Sequence, residues 1–400
     1  MPCRIGHTMK ADAEEALKRS KLVRSDTSEK GYSRQLSRSK GKDEDEVWEY
    51  FDVKGKKIKT ATLIARFDAM VIPPAWNDVW LCPNERGHLQ ATGKDSKGRV
   101  QYRYHDDWTT IKSVMKFDGL AGFAKQLPKI RKRVDADLGL PYRKRSRMGL
   151  ARVSATVVHL MDTVHIRVGS DEYAKKNASY GLTTLKEGHF AKITGDAAEG
   201  RHDAHFLFTG KSGKTWDLII EDDDVVDLIE ASRKVGGKNK DQDLFRYSTK
   251  RGDADLKAEH INQYLRQATG KRYTAKDFRT WAATWKTAAR FAKVITGKND
   301  LWIHELKKNA GLLKLSNDGE FAIGTEKQRQ KVLLAVVDTV SGDLGNTRTV
   351  CRSSYIHPTF LNDWSGESFA KKWSKVSGER KVRGLNRDES TTLHYLSKFG

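Results

Sequence analysis

The spacing of apolar residues changes period part-way along the chain, and that change limits what the chain can fold into. Upstream, 47-VWEYFDVKGKKIKT-60 places a Gly-Lys turn between two short β-prone stretches, as a hairpin would. The stretch 71-VIPPAWNDVWLCPNERGHLQATGKDSKGRVQYRYH-105 alternates aromatic and β-branched segments with turn clusters at Pro73-Pro74, Asn84 to Gly87 and Asp95 to Gly98. Within 99-RVQYRYH-105 a period of two puts Gln101 and Arg103 on one face and Tyr102 and Tyr104 on the other. After the Gly-containing passage 118-DGLAGF-123 the pattern turns helical. Val153, Val157, Leu160 and Val164 recur at steps of four, three and four and draw one apolar stripe. Similar stripes run through 255-DLKAEHINQYLRQA-268, 277-DFRTWAATWKTAARFAKVI-295 and 326-EKQRQKVLLAVVDTV-340. Short β-rich runs at 189-HFAKITG-195, 204-AHFLFTG-210 and 215-TWDLIIE-221 lie between helical tracts. No repeat of fixed period appears.

The pattern predicts an α+β protein: a small antiparallel sheet domain over 46–115, then a mostly helical domain carrying a small sheet over 116–400. Residues 1–45 mix Ser, Lys, Arg, Asp and Glu with few large apolar residues and read as a disordered basic tail with a loose affinity for phosphate backbones.

Charge narrows the partner. Among 400 residues, 74 Lys and Arg stand against 52 Asp and Glu, a net of +22. Each phosphate neutralised by Lys or Arg releases condensed counterions, so the excess favours nucleic acid. An acidic membrane surface is the competing polyanion, but the chain has no long apolar run and no signal-peptide pattern. Cys3, Cys82 and Cys351 match neither a paired framework nor a zinc spacing, which fits a reducing cytoplasm.

Several residues invite phosphoryl chemistry, each with a plainer reading beside it. Tyr355, in 344-LGNTRTVCRSSYIHP-358, is a nucleophile or an anchoring loop residue. A phenol titrates near about 10, so an unassisted tyrosine is ionised to the order of a thousandth at neutral pH and needs helpers. Cys351, four residues earlier, is a thiol nucleophile or a buried apolar residue. Arg167 continues the stripe of Val164 by a further step of three, so the helix aims it along a buried face. It is either a structural ion pair with Asp171 or Glu172 or a rigid fork for a phosphate. In 274-TAKDFRTW-281, Thr274 and Asp277 stand as a helix N-cap and its third residue, which puts Arg279 in the first turns, facing an anion or solvent. In 206-FLFTGKSGKTWDLII-220 two β-prone arms enclose a basic turn, and Lys211 or Lys214 serves as a proton donor or only as a solubilising charge.

Phenolate attack on a phosphodiester would employ all of these: cations on the phosphate oxygens, an acid for the departing oxygen, and a tyrosine able to stay attached. The sequence has no dense metal-ligand cluster and no GxxxxGK[ST] loop for ATP, so neither a metal nor a nucleotide cofactor is expected.

The segment order resembles the type IB DNA topoisomerases, in particular their small bacterial and poxvirus-like branch. The resemblance runs from Val47 to the C-terminus. VIPPAW at 71–76, GKDSKGRVQYRYH at 93–105, IRVGSDEYAKKNASYGLTTL at 166–185, TGK at 209–211, KDFRTWAATW at 276–285 and SSYIHP at 353–358 carry it. It implies a monomer that closes its two domains as a clamp around duplex DNA and relaxes supercoils without ATP. It also implies roles: Tyr355 as the nucleophile that joins the 3′-phosphate, Arg167 and Arg279 on the scissile phosphate, and Lys211 as the acid for the 5′-hydroxyl, with Lys214 in reserve. Gln101, Tyr102 and Tyr104 match positions that touch DNA in relatives; half-buried strand tyrosines are the plainer reading. Where many relatives carry a histidine, this chain has Asn346, whose amide donates a hydrogen bond but exchanges no proton near neutrality. His357 before Pro358 and His165 beside Arg167 are poor substitutes. Arg348 and Arg352 hold backbone phosphates or pack locally.

Tyrosine recombinases use a similar residue set, but usually with an HxxR box where this chain has KDFR at 276–279, and with a helical N-terminal domain. A non-catalytic basic DNA-binding protein carrying remnant motifs is the third reading.

Overall fold

Five short strands make the first sheet, and Val79, Leu81, Leu89 and Ala91 are buried on two of them. The computed structural model describes residues 14–38, 46–139, 148–194, 202–237, 239–296 and 325–400. The chain divides into two compact units, Met1–Asp118 and Gly119–Gly400. In the first, β1 (Tyr32–Arg38), β2 (Glu46–Phe51), β3 (Asn77–Leu81), β4 (Leu89–Lys94) and β5 (Val100–Tyr104) form an antiparallel sheet in the order β2-β1-β3-β4-β5. The helix Ala61–Ala69 lays Phe67 into a core of Tyr50, Ile58, Val79, Leu81 and Ala91.

The expectation of a disordered tail over 1–45 is corrected across 14–38; residues 1–13 and 39–45 lie outside the described residues. Residues 14–20 are helical, and Ala16 and Leu22 pack with Trp108. β1 sits inside the sheet, between β2 and β3. Its inward residue is an arginine. Arg34 is buried, donates to the carbonyls of Ile72 at 3.0 Å and Pro73 at 2.6 Å, and lies 3.9 Å over the Trp48 ring. A guanidinium that fills a core position on main-chain oxygens and an indole face looks, in sequence, like tail composition. The hairpin expected over 47–60 is also modified. β2 spends its ladder on β1, and the arm after the turn keeps one bridge, Phe51 to Lys57, and the bond from Ile58 N to Tyr50 O at 2.8 Å.

The second unit is helical around the helix Ala275–Thr296, which packs against the helices Leu120–Leu138, Leu150–Thr163, Glu326–Asp343 and Arg387–Phe399. Its small antiparallel sheet has the order β6 (Phe190–Thr194), β7 (His202–Thr209), β8 (Thr215–Ile220), and a hairpin of β9 (Arg246–Thr249) and β10 (Gly252–Asp255) stands apart. Apolar residues at helical spacing supply the contact: Phe123, Leu127, Ile130, Val134 and Leu138 on one helix, Val153, Val157 and Leu160 on another. One ionic brace ties four of these helices together. Arg131 bridges Asp162 at 2.7 Å and Glu389 at 2.8 Å, and Glu389 accepts the Trp281 indole N–H at 3.2 Å. A second brace fixes the end of the Glu326–Asp343 helix, where Asp343 receives Lys286 at 2.9 Å and Arg290 at 2.7 Å. Both braces fix the backbone around Arg279.

Candidate active site

Arg167 reaches the site from an extended segment, not from a helix face as its spacing predicts. The stripe of Val153, Val157 and Leu160 stops with the helix at Thr163, Val164 caps it, and His165 turns the chain at φ 60°. A left-handed histidine is an uncommon conformation that breaks helical continuation. Beyond it the segment is clamped: Leu182 N donates to Arg167 O at 2.8 Å and Thr183 N to Val168 O at 2.6 Å. Gly181 permits this approach, since a Cβ there would come within 2.6 Å of Arg167 O. The ion-pair reading fails as well. Asp171 pairs with Lys257 and Glu172 with Lys176, while the Arg167 guanidinium donates to Gly345 O at 3.3 Å and to the side-chain oxygen of Asn346.

Arg279 projects inward from the Ala275–Thr296 helix, whose start is held as expected: Asp277 accepts from Thr274 N at 2.7 Å and Thr274 Oγ1 at 3.0 Å. Arg279 is only 3% exposed, which excludes the solvent-facing reading. It donates to the carbonyls of His165 and, at 2.6 Å, Leu344, and to Asn346 Oδ1 at 3.3 Å. Burial, then the nearby Arg167, push its pKa down from the usual arginine range.

Three of the acceptors that hold the two arginines come from one helix end, and one of them, Asn346 Oδ1, is shared. The Glu326–Asp343 helix closes with Leu344 as cap, Gly345 at φ 58° and Asn346 N bonded back to Ser341 O at 2.9 Å. This turn presents Leu344 O, Gly345 O and Asn346 Oδ1, at the negative end of a helix, to two guanidiniums. Among the described residues neither arginine is paired with a carboxylate: every acceptor found for them is uncharged. Asn346 Nδ2 and Arg279 Nε are buried with no hydrogen-bond partner among the described residues. Unmet buried donors beside uncompensated positive charge describe an anion site.

Tyr355 closes the short helix Arg348–Ser354, and its ring lies 5.3 Å from the Arg279 guanidinium. Its backbone is pinned by Thr284, whose hydroxyl donates to Tyr355 O at 3.2 Å and accepts from His357 N at 3.1 Å. Burial acts to raise the phenol's pKa, but Arg279 and Arg167, and then Lys276, outweigh it, so the net shift is downward. Cys351 is fully buried and its thiol is pushed up to about 12 by burial, which ends its nucleophile reading. His165 is buried, which holds its pKa down to about 4, and His357 caps the helix Pro358–Ser365 by accepting from Thr359 N at 3.3 Å. Arg348 is held by Asp338.

Lys211 begins the turn between β7 and β8 and lines a cleft of about 280 Å³ with Arg167, Tyr173, Lys276, Arg279 and Tyr355; Lys214 lies outside it. In the sequence Lys276 figures only as the first residue of KDFR, with no site role, and Thr284 is not marked. Lys276 stands three residues before Arg279 and faces the same side of the helix, a spacing that makes it findable; Thr284 works through backbone contacts that no pattern marks. In the first unit, β5 is an edge strand. Tyr102 and Tyr104 are exposed and stack at 6.1 Å between ring centres, and Gln101 is tied to Asp95 at 2.9 Å. Among the described residues no cluster of His, Cys, Asp or Glu is placed to hold a metal ion, and no helix is long and apolar enough to cross a membrane.

A family model for the catalytic core of eukaryotic DNA topoisomerase I matches residues 106–381, and one for the N-terminal domain of bacterial DNA topoisomerase IB matches residues 47–95. The chain belongs to the type IB DNA topoisomerases. The DNA topoisomerase 1B of Acanthamoeba polyphaga mimivirus is 31% identical over 242 residues, 59% of this chain and 67% of that protein. This topoisomerase is therefore an isomerase acting on the topology of duplex DNA.

Because the cations stabilise the phenolate, Tyr355 should titrate below an ordinary tyrosine in NMR of the ¹³C-tyrosine-labelled protein, and Arg279→Ala should move it upward. A Tyr355 titration at or above the usual value, unmoved by Arg279→Ala, would contradict the electrostatic coupling.

Proposed function

We propose that this topoisomerase relaxes supercoiled duplex DNA by cutting and resealing one strand through a 3′-phosphotyrosyl intermediate at Tyr355, with neither ATP nor an obligatory metal. The observation that carries the reading is the pair of guanidiniums, free of carboxylate partners, placed against a phenol whose ionisation they favour. A phosphodiester entering the cleft supplies the missing negative charge. Arg167 and Arg279 bind its non-bridging oxygens and stabilise the charge that grows on them, and the unpartnered Asn346 Nδ2 donates a further bond.

Attack by the Tyr355 oxygen forms the P–O(Tyr) bond as the bond from phosphorus to the 5′-oxygen breaks. Lys211 transfers its proton to that oxygen, so the leaving group departs as a hydroxyl. The tyrosine's own proton passes to water, because Asn346 cannot accept it near neutrality. After the free end swivels, the 5′-hydroxyl attacks the phosphotyrosine and gives its proton to Lys211, the P–O(Tyr) bond breaks, and the departing phenolate takes its proton back from water. The diester bond energy is retained in the phosphotyrosine, so no nucleotide is consumed. All reacting groups come from one chain, so a monomer suffices. Gln101, Tyr102 and Tyr104 of the exposed β5 edge add contacts to the duplex. Cytoplasmic chromosomal DNA is the substrate in the cell.

Supercoiled plasmid in EDTA without ATP should give a ladder of relaxed topoisomers, and Tyr355→Phe should abolish it while leaving duplex binding intact; relaxation by Tyr355→Phe would assign the wrong nucleophile. Asn346→Asp places a carboxylate against both arginines and should slow single-turnover cleavage by roughly 10²-fold or more. Wild-type rates in that variant would remove Asn346 and the uncompensated charge from the account.

A further inference from the structure

The turn that carries Lys211 is exposed at the end of a two-stranded projection, yet a proton donor must stay in register with the phosphate. Its main-chain ties run along the hairpin, Gly210 N to Lys214 O at 2.8 Å, and sideways from Tyr180 N to Thr209 O at 2.8 Å. A side-chain tie comes from Trp216 on β8. Its indole stacks on Phe208 of β7 with centroids 6.0 Å apart and planes 5° from parallel. It also rests on two glycines. A Cβ at Gly210 would stand 2.7 Å from the indole Nε1, and one at Gly345 would stand 2.4 Å from Cζ2. Gly210 immediately precedes Lys211, and Gly345 immediately precedes Asn346 and accepts from Arg167. Both glycines lie within reach of a single rigid ring, on opposite sides of the reaction: one beside the acid, the other beside the phosphate-binding pair.

We propose that Trp216 is a positioning residue that docks the Lys211 turn onto the Gly345–Asn346 loop and so fixes the distance between the general acid and the arginine-bound phosphate. The inference rests on the role given to Lys211 under Proposed function. Two features favour an indole over an aliphatic residue here. It spans both glycines with few rotatable bonds, and its stacking on Phe208 ties the contact to the strand rather than to the mobile end of a side chain. Displacing an acid by about an ångström costs on the order of 10²-fold in rate, so the tie acts on proton transfer to the leaving oxygen and not on attack.

Leaving-group chemistry separates the two. A duplex with sulfur in place of the bridging 5′-oxygen expels a thiolate, which needs no proton donor because thiols ionise near about 8.5. Single-turnover cleavage of the oxygen and sulfur duplexes is compared in wild type, Lys211→Ala, Trp216→Leu and Trp216→Phe. Trp216→Leu should slow the oxygen duplex by roughly 10- to 100-fold and leave the sulfur duplex within about threefold of wild type, with Trp216→Phe in between. Sulfur rescue of Lys211→Ala together with equal slowing of both duplexes by Trp216→Leu, or no slowing of either, overturns the inference alone. A Lys211→Ala enzyme equally slow on both duplexes overturns the acid assignment and this inference with it.

Discussion

The site depends on one buried cation held only by uncharged oxygens, with its Nε left without a partner among the described residues. Arg279 is held by the carbonyls of His165 and Leu344 and by the side-chain oxygen of Asn346. These come from two separate elements: the turn after the Leu150–Thr163 helix, and the turn that ends the Glu326–Asp343 helix, which supplies both Leu344 and Asn346. Carbonyl dipoles orient the guanidinium without cancelling its charge. A carboxylate in any of these places would have made a more comfortable ion pair and a weaker phosphate site, since a buried pair has spent its attraction internally. Leaving the charge uncancelled costs on the order of several kcal/mol in desolvation, a cost that a bound anion would offset.

The surrounding fold serves that arrangement. His165 adopts a left-handed backbone that turns its carbonyl to Arg279, a conformation that costs on the order of 1–3 kcal/mol and persists where neighbours over-determine it. Asp343, held by Lys286 and Arg290, fixes the helix end from which Leu344, Gly345 and Asn346 project. Thr284, one turn and a half beyond Arg279 on the same helix, holds the backbone of Tyr355. The backbone of Tyr355 and the guanidinium of Arg279 are therefore both positioned by the Ala275–Thr296 helix. The downward shift of the phenol follows from this geometry: burial alone would raise it, and only cations close enough to outweigh burial reverse the sign.

Sequence pattern carried the reading further for elements than for contacts. Stripes at helical spacing located the helices that build the second unit, and alternation located β3 to β5, because burial of one face writes directly into residue spacing. Where a polar group takes an apolar position the pattern misleads. β1 was hidden because Arg34 occupies its inward position, and Arg167 looked helical because its spacing happens to extend a stripe that His165 interrupts. The members of the candidate site stand in short motifs, Tyr355, Arg279 and Lys211 among them. Their mutual support is not written there, because Gly345 to Arg167, Thr284 to Tyr355 and Trp216 to Gly345 join residues far apart in the chain through backbone atoms and ring faces.

The most direct test of the central claim is to denature the protein during turnover on duplex DNA, digest it, and locate the nucleotide-bearing peptide by mass spectrometry. The account predicts a single adduct, on the peptide containing Tyr355, joined through the 3′-phosphate of the cut strand. An adduct on another residue, a 5′-phosphate linkage, or relaxation with no covalent adduct at all would contradict it.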